Sequence, residues 1–177
     1  KEKIEQANRY IKENRHRVNH CYRGKFHLLP PIGWMNDPNG LNFNGKEYNM
    51  FYQYYPSDTV WGPMHWGHAV SKDLIKWEEK DIALYPDHLG MNFSGSAVID
   101  KDNTSGFFSK NTPIDKREVL IYTSHYEKNG KREEMQSAAY LLDNGNYKRY
   151  ENNPVIAGNN RKDFRDPKVF YYEKYKK

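Results

Sequence analysis

The heptapeptide Trp34-Met35-Asn36-Asp37-Pro38-Asn39-Gly40 sets a carboxylate between two amide side chains and fixes the backbone after it with proline. Turn chemistry accounts for Asp-Pro-Asn-Gly alone, but a plain turn has no need of Trp34 and Met35 beside the acid. Far downstream, Phe164-Arg165-Asp166-Pro167 repeats the order Asp-Pro, now beside an arginine whose permanent charge is expected to keep Asp166 ionised. Two carboxylates held in this way point to glycosidic chemistry, which works with paired acids across a sugar ring.

Other residue types with chemical potential have plainer readings. His65 and His68 look like a metal pair, yet on a strand an offset of three points them to opposite faces. Asp100-Lys101-Asp102-Asn103-Thr104 resembles half a calcium loop without its glycine and terminal glutamate, and reads as a turn. Cys21 has no neighbour that would lower its pKa. No metal and no cofactor is therefore expected. Trp66 reads as core, and Asn92-Phe93-Ser94 and Asn103-Thr104-Ser105 match the short N-glycosylation pattern, which recurs often by chance.

The elements that must position the two acids are mostly strands. Apolar residues Ile4, Ala7, Ile11 and Val18 recur at helical spacing between charged neighbours and predict one amphipathic helix from Glu2 to Val18. After Pro30-Pro31 the pattern changes to short aromatic and β-branched runs punctuated by Gly, Asn, Asp and Pro. Asn44-Gly45 between Leu41-Asn42-Phe43 and Tyr48 to Tyr54 predicts a hairpin. Further strands are expected over Trp66 to Ser71, Ile82 to Tyr85, Ser96 to Asp100, Val119 to Tyr126, Met135 to Leu142 and Asp166 to Tyr172, with turns at Asn129-Gly130 and Asp143 to Asn146. Groups of about four aromatic strands suit propeller blades. Periodicity by itself fits a β-sandwich as well.

Composition sets outer limits. The sequence has 177 residues, 37% hydrophobic and 29% charged, with 8 Phe, 4 Trp and 15 Tyr, which excludes disordered and low-complexity classes. Its net charge of +5 is dispersed except at Arg15-His16-Arg17 and from Glu173 to Lys177, so a solvated surface is expected and no nucleic acid partner. No apolar run approaches the roughly 20 residues of a membrane helix, so no membrane association is expected. One cysteine and the absence of a recognisable signal segment lean toward a cytoplasmic protein.

Trp34 to Gly40, Phe51-Tyr52-Gln53, Trp66 to Ser71, Phe93 to Ala97 and Phe164 to Pro167 resemble, in order and spacing, the β-fructofuranosidases of glycoside hydrolase family 32. The helical start and His27 to Gly33 resemble most the bacterial sucrose-6-phosphate hydrolases of that family. The resemblance implies a five-bladed β-propeller followed by a β-sandwich, of which residues 26–177 would form about two blades plus a first strand of the next, preceded by a helical extension over 1–25. It implies retaining cleavage of sucrose, sucrose 6-phosphate or a fructan such as levan or inulin. Asp37 would be the nucleophile, and Asp166 the acid that binds fructose hydroxyls and stabilises the transition state. Asn36, Gln53, Trp61, Phe93, Ser94 and Arg165 would line the pocket.

The same family places its proton-donating glutamate in a Glu-Cys pair beyond the Arg-Asp-Pro segment, and this sequence contains no Glu-Cys pair. Glu118, Glu127, Glu133 and Glu134 stand in no matching context and are expected at the surface. The chain by itself is therefore expected to be inactive, which keeps open a non-catalytic carbohydrate-binding role. Sequence leaves the oligomeric state undetermined.

Overall fold

The computed structural model describes residues 2–175, so Lys176 and Lys177 of the basic terminal cluster lie outside the described residues. Helix α1 (Glu2–Asn14) is followed by eight strands: β1 (Trp34–Phe43), β2 (Tyr48–Tyr55), β3 (His65–Ser71), β4 (Glu78–Leu84), β5 (Met91–Ile99), β6 (Glu118–Lys128), β7 (Lys131–Leu141) and β8 (Tyr147–Arg149). They form two four-stranded sheets, β1-β2-β3-β4 and β5-β6-β7-β8. Every pairing is antiparallel between sequence neighbours, the meander of a propeller blade.

The predicted hairpin forms because Gly45 takes φ 99° and the Asn44 carboxamide accepts from the Lys46 and Glu47 amides at 2.9 and 3.0 Å. Short strand β8 has only three residues and no apolar alternation, and the sequence pattern does not reveal it. The helix stops at Asn14, short of the expected Val18, where the chain tightens into a 3₁₀ turn over Arg15–Arg17 and Val18 becomes extended.

The larger correction concerns residues 166–172, for which the sequence predicts a strand opening a third blade. They form no strand and have no ladder partner among the described residues. A strand exists only where a neighbour supplies its hydrogen bonds.

The core lies between the sheets. Phe51, Trp66, Ala83 and Leu84 of the first pack against Ala97, Leu120, Tyr122 and Ala139 of the second, and full burial of each large side chain contributes roughly 1.5–3 kcal/mol. Trp66 is wholly buried, as its core reading requires. On the other side of the first sheet, Ala7 and Ile11 of α1 cover Tyr52, Tyr54, Ala69 and Ile82. The Asn8 carboxamide accepts the Ile82 amide at 3.0 Å, so the helix also satisfies part of the edge strand β4. Asn92 of the first glycosylation match is completely buried and unavailable to a sugar in the folded state, and the Asp100 segment is a turn in which that carboxylate accepts from the Thr104 and Ser105 amides.

Candidate active site

Asp37 projects from an irregularity in β1. Between Met35 and Pro38 the strand takes one more residue than its partner takes between Tyr54 and Tyr52, which is a bulge at Asn36-Asp37. A bulge turns a side chain out of the regular alternation, and Asp37 is exposed. A second bulge lies in β5, where Ser94 is the extra residue between the pairs Phe93↔Thr123 and Gly95↔Tyr122. Its hydroxyl donates to the Asp37 carboxylate at 3.2 Å and lies 3.5 Å from the Asn39 amide nitrogen.

Asp166 reaches the same region from a segment without ladder bonds. Its backbone is left-handed, φ 60°, and its amide donates to the buried Thr123 hydroxyl at 3.0 Å. Two residues along β5 from Ser94, the Ser96 hydroxyl donates to the Pro167 carbonyl at 2.9 Å. Neighbouring positions of one strand thus hold both acids. Asp166 is exposed, yet the desolvation its carboxyl suffers pushes it above its ordinary value; the Arg165 charge opposes this, while the negative charges of Asp37 and Glu134 add to it.

Arg165 acts on Asp166 in the direction the sequence suggests but does not prevail. Its guanidinium is hydrogen-bonded to Glu134 at 3.1 Å and to Asp163 at 2.6 Å, and its charge fails to outweigh the desolvation of Asp166. Glu134, expected at the surface, is 2% exposed. Its burial would raise the carboxyl pKa, but hydrogen bonds from Arg132, Arg165 and His125 prevail and hold it below the ordinary range. Glu118 is likewise buried, accepting from Asn42 at 2.6 Å and Tyr147 at 2.7 Å. At Glu134 the local donors offset the cost of burying a carboxylate, whereas at Glu118 they oppose that cost without overcoming it. Glu127 remains exposed.

Aromatic rings flank Ser94 and His125. Phe93 stacks on the buried His125 with centroids 4.1 Å apart and planes 13° apart, and half-exposed Trp61 meets its edge at 6.3 Å. The Phe93 carbonyl accepts from the Trp66 indole at 3.0 Å, which fixes the ring's backbone. Asn36 accepts from the Trp34 indole at 2.8 Å. Gln53 is buried, with an amide nitrogen lacking a partner among the described residues. His65 and His68 take separate partners, the Pro63 carbonyl and the Asn49 carboxamide, and burial lowers their pKa values to about 4 and about 3.

Sequence reasoning missed Thr123, His125, Glu134 and Gln136 as supports of this region. Their signal is cross-strand: in the β6–β7 register Thr123 faces Gln136 and His125 faces Glu134, two polar pairs in otherwise core-forming strands.

Two antiparallel four-stranded sheets, one carrying Asp37 and the other bonded to the segment that carries Asp166, form a partial propeller. A family model described as the glycosyl hydrolases family 32 N-terminal domain matches residues 27–177, and the chain belongs to that family. It is 54% identical over 157 residues to a levanase of Bacillus subtilis, covering 88% of this chain and 22% of the levanase. It is 49% identical over 155 residues to an invertase of Schizosaccharomyces pombe, covering 84% and 26%. Among solved structures, the β-fructofuranosidase of Bombyx mori superposes with TM-score 0.82 at 38% identity, covering 96% of this chain and 34% of that one. The fructofuranosidase of Schwanniomyces occidentalis complexed with fructose gives 0.77 at 44% identity, covering 85% and 30%. The chain spans about a quarter of the length of the curated relatives it matches.

Proposed function

We propose that this chain supplies the nucleophile-bearing part of a retaining β-fructofuranosidase, with residues 1–25 as a helical extension and 26–177 as the propeller portion. Asp37 attacks the anomeric carbon of a fructosyl unit as the bond to the leaving oxygen breaks, and a proton from an acid outside this chain neutralises that oxygen. Water then hydrolyses the resulting ester, its oxygen bonding the fructosyl carbon as the bond to Asp37 breaks and its proton passing to the acid that gave one in the first step, and Asp37 leaves in its ionised form. Asp166 accepts fructose hydroxyls and opposes the positive charge that develops on the ring. Ser94 and Asn36 offer polar contacts, Trp61 and Phe93 an apolar wall, and Gln53 and Arg165 further polar groups at its margin.

The observation that supports this reading is the arrangement around β5, whose Ser94 and Ser96 hydroxyls bond the Asp37 carboxylate and the residue after Asp166. Substrates of this class include sucrose, sucrose 6-phosphate and fructans, and the named relatives include both an invertase and a levanase.

A second reading, fructoside binding without cleavage, is favoured for the 177-residue polypeptide by its lack of a Glu-Cys pair. Removing a general acid costs about 10²–10⁴ in rate. The purified 177-residue polypeptide is expected to release negligible fructose, and release at ordinary enzyme rates would refute this division of labour. Calorimetric titration with sucrose, with fructose as a binding control, separates the two readings: heat of binding without release of product from sucrose supports the second.

A further inference from the structure

The segment carrying Asp166 has no strand partner among the described residues, yet four of its backbone polar groups are bonded by three buried side chains of the second sheet. The Phe164 carbonyl accepts from the Gln136 side chain at 2.8 Å, and the Asp166 amide donates to Thr123 at 3.0 Å. The Pro167 carbonyl and Val169 amide both meet the Ser96 hydroxyl at 2.9 Å. Thr123 and Gln136 also bond one another, Oγ1 to Oε1, at 2.8 Å.

These distances admit one direction for every proton. A carbonyl only accepts, so Phe164 requires the NH₂ of Gln136 and turns the Gln136 oxygen toward Thr123. The Thr123 hydroxyl must then donate to that oxygen, which leaves its lone pairs for the Asp166 amide. Thr123 has no exposed surface and Gln136 is 4% exposed, so water does not compete. The two residues are direct partners in the β6–β7 ladder, and their relay ends on Asp166 at φ 60°, a left-handed conformation open to aspartate that the hydrogen bond from its amide to Thr123 favours here.

We propose that Thr123 and Gln136 are positioning residues, which hold Asp166 in its left-handed conformation and so aim its carboxylate into the space it shares with Asp37. This rests on the role given above to Asp166. Neither residue touches the sugar. Their contribution is geometric, and displacement of a charge-bearing group by about 1 Å can cost on the order of 10²-fold in rate.

The test uses the complete enzyme containing this chain, with Thr123→Val, which preserves shape but loses both hydrogen bonds, and Thr123→Ser, which restores them. Thr123→Val is expected to lower kcat by about 10–10²-fold when assayed well below its Tm, with a smaller change in KM, and Thr123→Ser to recover to within a few-fold. A crystal structure of Thr123→Val is expected to show Asp166 out of the left-handed region. Normal kcat in Thr123→Val, or a fall that Thr123→Ser does not repair, overturns the proposal even if Tm drops. Inactivity of the unsubstituted enzyme on β-fructofuranosides overturns the functional reading instead, and the Asp166 backbone in the Thr123→Val crystal then still decides whether the relay positions it.

Discussion

The two acids are mounted in opposite ways. Asp37 rides on β1, which is laddered to β2 on both sides of its bulge, and a Ser94 hydroxyl trims its carboxylate. Asp166 sits on a segment with no ladder, suspended from Thr123, Gln136 and Ser96. A ladder fixes a residue through many weak bonds shared with its neighbours, so loss of one side chain leaves the backbone in place. A suspended segment depends on a few buried groups, each of which is expensive to leave unpaired.

The largest effect tests the laddered acid. Asp37→Ala in the complete enzyme is expected to lower kcat by on the order of 10⁴-fold or more with little change in Tm, because the strand does not need the side chain. It should also move the Asp166 carboxyl toward its ordinary pKa, since the Asp37 charge is one cause of its elevation; carboxyl-carbon NMR titration would register the shift. An unchanged rate would remove Asp37 from the mechanism, and an unchanged Asp166 titration would show that the acids do not share one field.

The same contrast explains what could be read from sequence. Asp37, Pro38 and the Asn44-Gly45 turn act through their immediate neighbours, so the residues spell out the local geometry. Asp166 was legible as a motif, but its supports were not, because Thr123 lies 43 residues away along the chain and meets it only after β6 and β7 have set their register. Glu134 misleads for a related reason: a glutamate among charged neighbours looks solvated until Arg132, Arg165 and His125 converge on it. The expected strand over 166–172 reflects local propensity, which supplies no partner. Helix α1 and most strands were legible because hydrophobic periodicity is local too.

A smaller effect tests the suspended segment where it docks. Gly158 is buried, and a Cβ there would run into the Glu134 carbonyl oxygen. Gly158→Ala is expected to cost about 1–3 kcal/mol and to reduce kcat by displacing the turns at 159–163 that lead into Asp166. Hydrogen exchange at β1 and β2 amides should remain as in the unsubstituted protein. Loss of protection in β1 alongside β7 would mean that the two mountings are one cooperative unit.

The smallest effect concerns the far end of the laddered strand, where Asn42 of β1 donates to Glu118 of β6 and Tyr147 of β8 donates to its other oxygen. Burial pushes the Glu118 carboxyl above its ordinary value; the Tyr147 and Asn42 hydrogen bonds oppose this, and the nearby Glu47 charge reinforces it. The folded protein thus keeps a proton on Glu118 at a pH where the unfolded chain has released it. In that window the native state binds more protons, so stability declines as pH rises from the unfolded pKa through the folded one. Glu118→Gln retains an acceptor for Asn42 and a group for Tyr147 but cannot titrate. It is expected to change stability at neutral pH by less than about 1 kcal/mol, and to flatten the mildly acidic part of the stability curve in urea titrations. Parallel curves for the two proteins would show that Glu118 keeps one protonation state, and that the tie between β1 and the second sheet is as insensitive to pH as the ladder it extends.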